Sequence, residues 1–400
     1  MANNQKTKVV HCEVVVVGAG LIGLAAAIAL AEQGKQVVLV NTDQSEVNEK
    51  TALQQQDWDA RIYALSPSTE AFLKKLGVWS FVDLMRVNDV EAMTLWHAES
   101  GKPLNLLAED ARLSKLACIA ESSNLMQALW QKLAALAVPV MQGTCCQAID
   151  YHKDSIMLGL ENGIQVCANL LVAADGAHSF VRETFAIATK AKAFNQTALV
   201  ANYRAEKEHH NVARQWFASH ETLALLPLPQ QQVSMVWALE TSLAQALIAM
   251  DDDCLAEHVQ RRANGLLGEL QPIGQTFSFV LKQVTAERLI AERVLLIGDA
   301  AHQVHPMAGQ GANLGFRDVI GLENLMASSH PMQDIGELAF LRRYERARKA
   351  DIVNINTLTS GLDTLFSVEL TAVKKLATFG MRQLDKYPIM KNILIQRAIA

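Results

Sequence analysis

Charge is scarce in this chain of 400 residues: only 19% is Asp, Glu, Lys or Arg, against 50% hydrophobic. A disordered chain has the opposite balance, so the sequence must build real cores. A basic excess is also missing. The 36 Lys and Arg are outnumbered by 41 Asp and Glu, giving a formal charge of −5, and this argues against a nucleic-acid partner. Cysteine is sparse: Cys12, Cys118, Cys145, Cys146, Cys167 and Cys254 include no CxxC pair, which excludes a zinc knuckle and a thioredoxin-type redox motif. Reduced, buried thiols in a cytoplasmic protein are the expectation. There is no basic region before an apolar stretch followed by a cleavage site, so no secretory signal is expected.

One stretch imitates a membrane span. Val14 to Ala31 runs VVVVGAGLIGLAAAIALA without a charge. Its glycines divide it into a buried strand, a turn and a helix. With QVVLVN following, residues 12–41 read as a β-α-β unit. Ser66-Pro67 opens a helix ending near Gly77, and Ser122 to Leu136 is another. Ile149 to Leu160 alternates like a hairpin strand, with Glu161-Asn162-Gly163 as its turn and NLLVAADG beyond it. Ala198 to Glu240 is strand-like, Leu243 to Leu270 helical and Thr276 to Gln283 a strand. Then comes the buried strand of RVLLIGDAA, a helix from about Gln310 and an all-helical end.

Gly18-Ala19-Gly20-Leu21-Ile22-Gly23 fits GxGxxG in the strand-to-helix setting that a dinucleotide pyrophosphate requires. The helix N-terminus adds unpaired N–H groups and partial positive charge. Asn41, at the end of the second strand, is the expected ribose contact in place of the usual acid. Two more motifs follow buried strands: Asp175-Gly176-Ala177-His178 and Gly298-Asp299-Ala300-Ala301-His302, the latter continuing to Pro306 and Gly309-Gln310-Gly311-Ala312-Asn313. Asp299 can accept bonds from a polyol, and the GQGAN helix start can face a developing negative charge such as that on a reduced flavin. His302 and His305 lack a third partner for a metal, so no metal is expected.

Together GAGLIG, DARIYALSPS, DGAHSFVR and GDAAHQVHPMAGQGANLG resemble the single-component FAD-dependent aromatic hydroxylases, and within them the ubiquinone-biosynthesis hydroxylases. The resemblance runs from about Glu13 to LDKYPIMKNIL. It implies an α/β fold: a Rossmann-like FAD-binding domain (1–75, 101–185, 285–330), a mainly antiparallel β-sheet substrate domain (76–100, 186–284) and C-terminal helices (331–400). It implies bound FAD and transient NAD(P)H, which with O2 put a hydroxyl group on the ring of a polyprenylated phenol or quinol. By similarity Gly18, Gly20 and Gly23 hold pyrophosphate, Asp299 the ribityl chain, and Gly309 to Asn313, with Ala312, the flavin ring. Pro306, Gly309, Gln310 and Gly311 lie at the reacting end, and Arg61 and Asp175 are further cofactor contacts. Departures from the family are Asn41 for Glu, Ser123 for an FAD-contacting Arg, Trp216 for an Arg, and His220-Glu221-Thr222 for a Gly-Pro corner.

Leu226, Pro227, Leu228 and Trp237 are the expected substrate-pocket residues, because an apolar ring needs an apolar wall and a proline marks an irregular strand edge. The last 31 residues carry six basic side chains and one acid among apolar ones, suiting a peripheral contact on the inner face of a membrane or in a quinone-biosynthesis complex. A homo-oligomer is allowed for. The competing readings are a flavin hydroxylase of a soluble aromatic and a non-catalytic subunit of such a complex.

Overall fold

The computed structural model describes residues 8–42, 58–97, 103–218, 221–304, 310–367 and 392. Pro306 and Gly309, the expected basic surface at 370–400, and His305 and His220 lie outside the described residues. In chain order the elements are β1 (Val9–Val17), α1 (Leu21–Glu32), β2 (Val37–Asn41), β3 (Ile62–Leu65), α2 (Pro67–Lys75), β4 (Val87–Val90), β5 (Ala92–His97), β6 (Leu104–Leu107), β7 (Ala117–Glu121), α3 (Ser122–Ala135), β8 (Val140–Gln142), β9 (Cys146–Tyr151), β10 (Ile156–Leu160), β11 (Gln165–Ala173) and α4 (Phe180–Thr184). Then follow β12 (Thr189–Ala205), β13 (Val212–Ala218), β14 (Glu221–Leu228), β15 (Gln232–Glu240), α5 (Thr241–Ile248), α6 (Asp252–Arg262), β16 (Leu270–Ala286), β17 (Ile290–Ala291), β18 (Val294–Leu296), β19 (His302–Gln303), α7 (Gln310–Ala327) and α8 (Leu338–Ser367).

The apparent membrane span is β1, a turn and α1. Val14, Val15 and Val16 are fully buried because β1 is parallel to β2 on one side and β11 on the other. Strands covered on both faces read as continuous apolar runs. The first sheet runs β17-β18-β11-β1-β2-β8, with β10 and β9 folding back antiparallel beside β11. Helix α1 packs between this sheet, α3 and α7, so its apolar residues circle it completely. Among the described residues no helix is long and apolar enough to cross a membrane.

The second sheet runs β19-β16-β12-β15-β14-β13-β5-β6 and is antiparallel except between β13 and β5. A third, small sheet of β3, β7 and β4 lies between. This is the α/β fold with several sheets and flanking helices that the motifs imply. Both sides of position 101 contribute to the second sheet, since β5 pairs with β6.

Some boundaries differ from the sequence expectation. The 149–160 stretch is two strands, β9 and β10, with their own reversal; Glu161-Asn162-Gly163 then joins β10 to β11. The helical run from Leu243 breaks into α5 and α6, because Asp251 accepts a bond from the Cys254 N–H at 2.7 Å and starts a new helix. The strand expected at 276–283 extends over 270–286, since β16 follows β12 through two bulges.

Arg293 ties the first sheet to the chain that leads into α8. It is 1% exposed and donates to the carbonyls of Lys153 and Asn169 and to the carboxylate of Asp334. Arg293→Ala should lower unfolding stability by about 2–4 kcal/mol, measured by chemical denaturation, because it removes the charge-assisted bonds to both carbonyls and to Asp334.

Candidate active site

The turn after β1 is shaped by close approach. Gly18 has φ +105°, and a Cβ there would meet the Ala174 carbonyl oxygen at 2.3 Å. A Cβ on Gly23 would meet the Gly18 carbonyl oxygen at 1.9 Å. Gly20 differs: a Cβ there would meet nothing within 4 Å among the described residues. It also begins α1, whose first turn has neither a side-chain cap nor an acid. The N–H groups of that turn have no side-chain cap among the described residues, the arrangement that accepts an anion.

Two strand ends flank this turn. Asn41 closes β2, 9% exposed, and its carbonyl accepts from the Thr144 N–H. Asp175 follows β11. One of its oxygens accepts from the Val181 N–H at 3.1 Å, while Oδ1 is buried with no hydrogen-bond partner. Burial raises its carboxyl above the usual value, against the pull of bonds from Ser179 and the backbone.

Asp299 follows β18. Its side chain reaches solvent, but the protein packed about it raises its carboxyl, opposed by His302, a bond with Gln303 and the charge of Arg61. Arg61 is exposed and held through its backbone, whose N–H donates to Asp59 at 2.8 Å. Asp59 in turn accepts from the Ser123 N–H at 3.0 Å. Ser123 thus fixes the Arg61 strap through its main chain.

Beneath Asp299 is a charged cluster that the sequence reading missed. Asp318, on α7 and 1% exposed, accepts from the Gly298 N–H at 2.9 Å, His302 Nε2 at 2.6 Å and Arg348 Nε at 2.8 Å. Burial pushes its carboxyl up, but His302, Arg348 and the Gly298 N–H outweigh it and hold it below the ordinary value. His302 belongs to this buried cluster. Its ring is 2% exposed and engaged underneath the Gly298–Asp299 corner.

Three expected contacts need correction. The Asn313 side chain does not face a ligand: its Oδ1 accepts from the Ser66 N–H (2.9 Å) and Thr69 Oγ1 (2.8 Å), and its Nδ2 donates to the Ala64 carbonyl. It binds α7 to the β3–α2 corner. Trp237 is 4% exposed on the sheet face that packs against α5 and α6, with its N–H on Glu221. Leu228 is fully buried among Leu104, Leu106 and Ile119. Leu226 packs against that same cluster from its edge. Pro227 lies past the last β13 partner of β14, where its missing N–H breaks no ladder. Gln310, Gly311 and Ala312 open α7; among the described residues a Cβ on Gly311 would touch Val304 alone, at 3.9 Å.

The opposite face of the second sheet looks towards the strap. Leu199, Ala201 and Tyr203 point to α5 and α6, so Ala198, Val200, Asn202 and Arg204 point away. Asn202 Nδ2 donates to the Asp59 carbonyl at 3.1 Å, placing this face beneath the strap. Ser234 is its cross-strand neighbour. Asn202 Oδ1 and Ser234 Oγ are buried without partners among the described residues. Towards β19 the face turns apolar: Ala198 and Val200 pair with Phe279 and Phe277, which are 44% and 52% exposed. Asn202 and Ser234 alternate with core residues in their strands, but only the strand register brings them together.

A family model described as an FAD binding domain matches residues 11–355. The chain is 31% identical to the "Ubiquinone hydroxylase UbiL" of Rhodospirillum rubrum over 390 residues, covering 97% of this chain and 89% of that protein. It is 30% identical to the "3-demethoxyubiquinol 3-hydroxylase" of Escherichia coli, covering 97% and 98%. The fold is shared with p-nitrophenol 4-monooxygenase PnpA from Pseudomonas putida, with a TM-score of 0.78 at 16% identity over 98% of this chain and 99% of that one.

Proposed function

The chain belongs to the FAD-binding-domain family and, within it, to the ubiquinone-biosynthesis branch of the FAD-dependent aromatic hydroxylases, and from that premise we propose that it hydroxylates the ring of a polyprenylated phenol or quinol. NAD(P)H is the transient reductant, O2 the oxygen source, and NAD(P)+ and water leave with the hydroxylated ring. The residues fit FAD. The turn at Gly20 is open, α1 is uncapped, and the Asp175 Oδ1 has no donor of its own. Bound FAD supplies the redox chemistry, carrying electrons from the nicotinamide and activating O2.

In this reading Gly18 and Gly23 shape the turn, Gly20 and the first N–H groups of α1 take the pyrophosphate, and Asp299 accepts from the ribityl hydroxyls. Asn41 and Arg61 are further FAD contacts, and the α7 start with Gln310, Gly311 and Ala312 faces the flavin ring. The apolar end of the sheet face, Ala198, Val200, Phe277 and Phe279, takes the ring and the start of its tail, and excluding water there protects the oxygen transfer. The division into FAD-binding, substrate and C-terminal parts belongs to the same proposal, as does a peripheral seat on the membrane that stores such a lipid.

The single observation that carries the reading is the anion-binding turn at Gly20 within a chain whose relatives include ubiquinone-pathway hydroxylases. The test is reconstitution with FAD, followed by NAD(P)H oxidation with a prenylated phenol and with a soluble one. Hydroxylated product in step with NAD(P)H consumed is expected only with the prenylated ring. Coupled turnover of the soluble phenol instead would make this a hydroxylase of soluble aromatics.

A further inference from the structure

We propose that the cavity behind the Trp58–Arg61 strap is the docking site of the reductant, holding one nucleotide half of NAD(P)H. This rests on the function proposed above. The cavity has a volume of about 480 Å³ and is lined by Trp58, Asp83, Arg86, Arg204, Gln232 and Ile273, among others. It lies on the same sheet face as Asn202, one register step further from the apolar end, since Arg204 pairs with Gln232 as Asn202 pairs with Ser234.

The lining matches a nucleotide group by group. Arg204 has no side-chain partner among the described residues, so its guanidinium is available for a phosphate. The neighbouring Arg86 is already bound to Glu121 at 2.7 Å through one nitrogen and at 2.5 Å through another, and adds positive field rather than a free donor. Gln232 is 4% exposed on the cavity wall, and its Oε1 accepts nothing. An acceptor-only oxygen there suits the N–H of a carboxamide or an exocyclic amine. Asp83 takes one bond, from the Met85 N–H, and retains acceptor capacity for ribose hydroxyls. Trp58 carries the Arg86 guanidinium 4.6 Å from its ring centre and offers a planar surface for a base.

Position supports the same ligand. Trp58 and Arg61 are three residues apart on one strap; the first lines the cavity and the second acts on Asp299. A nucleotide held behind the strap is therefore beside the FAD site, while the aromatic substrate keeps the apolar end of the sheet. The sequence holds one GxGxxG, which the proposed FAD turn uses, and this cavity would serve NAD(P)H apart from it.

The test uses the FAD-loaded enzyme and Arg204→Ala, with Arg204→Lys as the charge-preserving control. Arg204 is exposed and outside the FAD contacts, so the flavin content and the KM for the aromatic substrate should not change. Arg204→Ala should raise the KM for NAD(P)H about tenfold or more, as for loss of a charge-assisted bond, with kcat within about twofold. Lysine should restore part of the loss. Titration with NAD+, which cannot reduce the flavin, should show weaker binding to the alanine variant by the same factor. An unchanged KM for NAD(P)H with unchanged NAD+ affinity overturns the site. A rise in the KM for the aromatic substrate instead assigns the cavity to that ligand and also overturns it. Should the wild type fail to oxidise NAD(P)H, the proposed function falls, but the NAD+ titration still decides whether the cavity binds the nucleotide.

Discussion

Asp318→Ala should cost the folded protein about 3 kcal/mol and most of its flavin, at the lower end of the roughly 3–5 kcal/mol that breaking a buried ion pair costs. The reason is what remains behind. Arg348 is 7% exposed and, among the described residues, keeps Asp351 alone as an ionic partner, while His302 and the Gly298 N–H lose their acceptor. Gly298 and Asp299 then have no fixed corner, and a ligand that binds only the ordered corner binds more weakly. Denaturation midpoints and flavin absorbance after desalting are the readouts. A variant that keeps its full flavin and its midpoint would show the cluster to be dispensable.

The same cluster sets a pH response. The Asp318 carboxyl is held below its ordinary value, so its stabilising contribution is complete above the ordinary carboxylate range and fades as pH falls through the depressed value. Wild-type stability should fall below about pH 4 as this carboxylate protonates, and Asp318→Asn should flatten that part of the profile while lowering the plateau. Burial alone would have shifted the group the other way. Its three donors decide the sign.

Much of the first sheet and its glycine turn was legible in the sequence, because it depends on local chemistry. A βα turn with three glycines at fixed spacing has few other uses. The valine run of β1 and the apolar run of α1 are each continuous because both elements are covered on every side. What stayed hidden depends on register and on long-range pairing. Trp237 and Ser234 are three residues apart in β15, yet lie on opposite faces of the sheet, so an aromatic expected in the pocket is core and a serine not singled out in the sequence faces the strap. Asn313 sits in the most diagnostic string of the sequence, but its side chain bonds Ser66, 247 positions away. Asp318 left one usable signal: an acid on an otherwise apolar helix face, which must find buried partners.

Gly20→Asp should separate ligand binding from folding more cleanly than any other change in the turn. At Gly23 an added side chain would strike the Gly18 carbonyl, and at Gly18 the Ala174 carbonyl, so those variants would damage the sheet itself. At Gly20 an added Cβ meets none of the described residues, and the aspartate would even complement the uncapped N-terminus of α1. The apo protein should therefore match or slightly exceed the wild type in stability. With FAD the sign reverses. The carboxylate occupies the space of the pyrophosphate and repels it, a juxtaposition that costs several kcal/mol and should weaken FAD by roughly 100-fold or more. Apo-protein denaturation and FAD titration by flavin fluorescence quenching give the two numbers independently. An apo form as stable as the wild type, paired with near-wild-type FAD affinity, would place the pyrophosphate somewhere other than the first turn of α1.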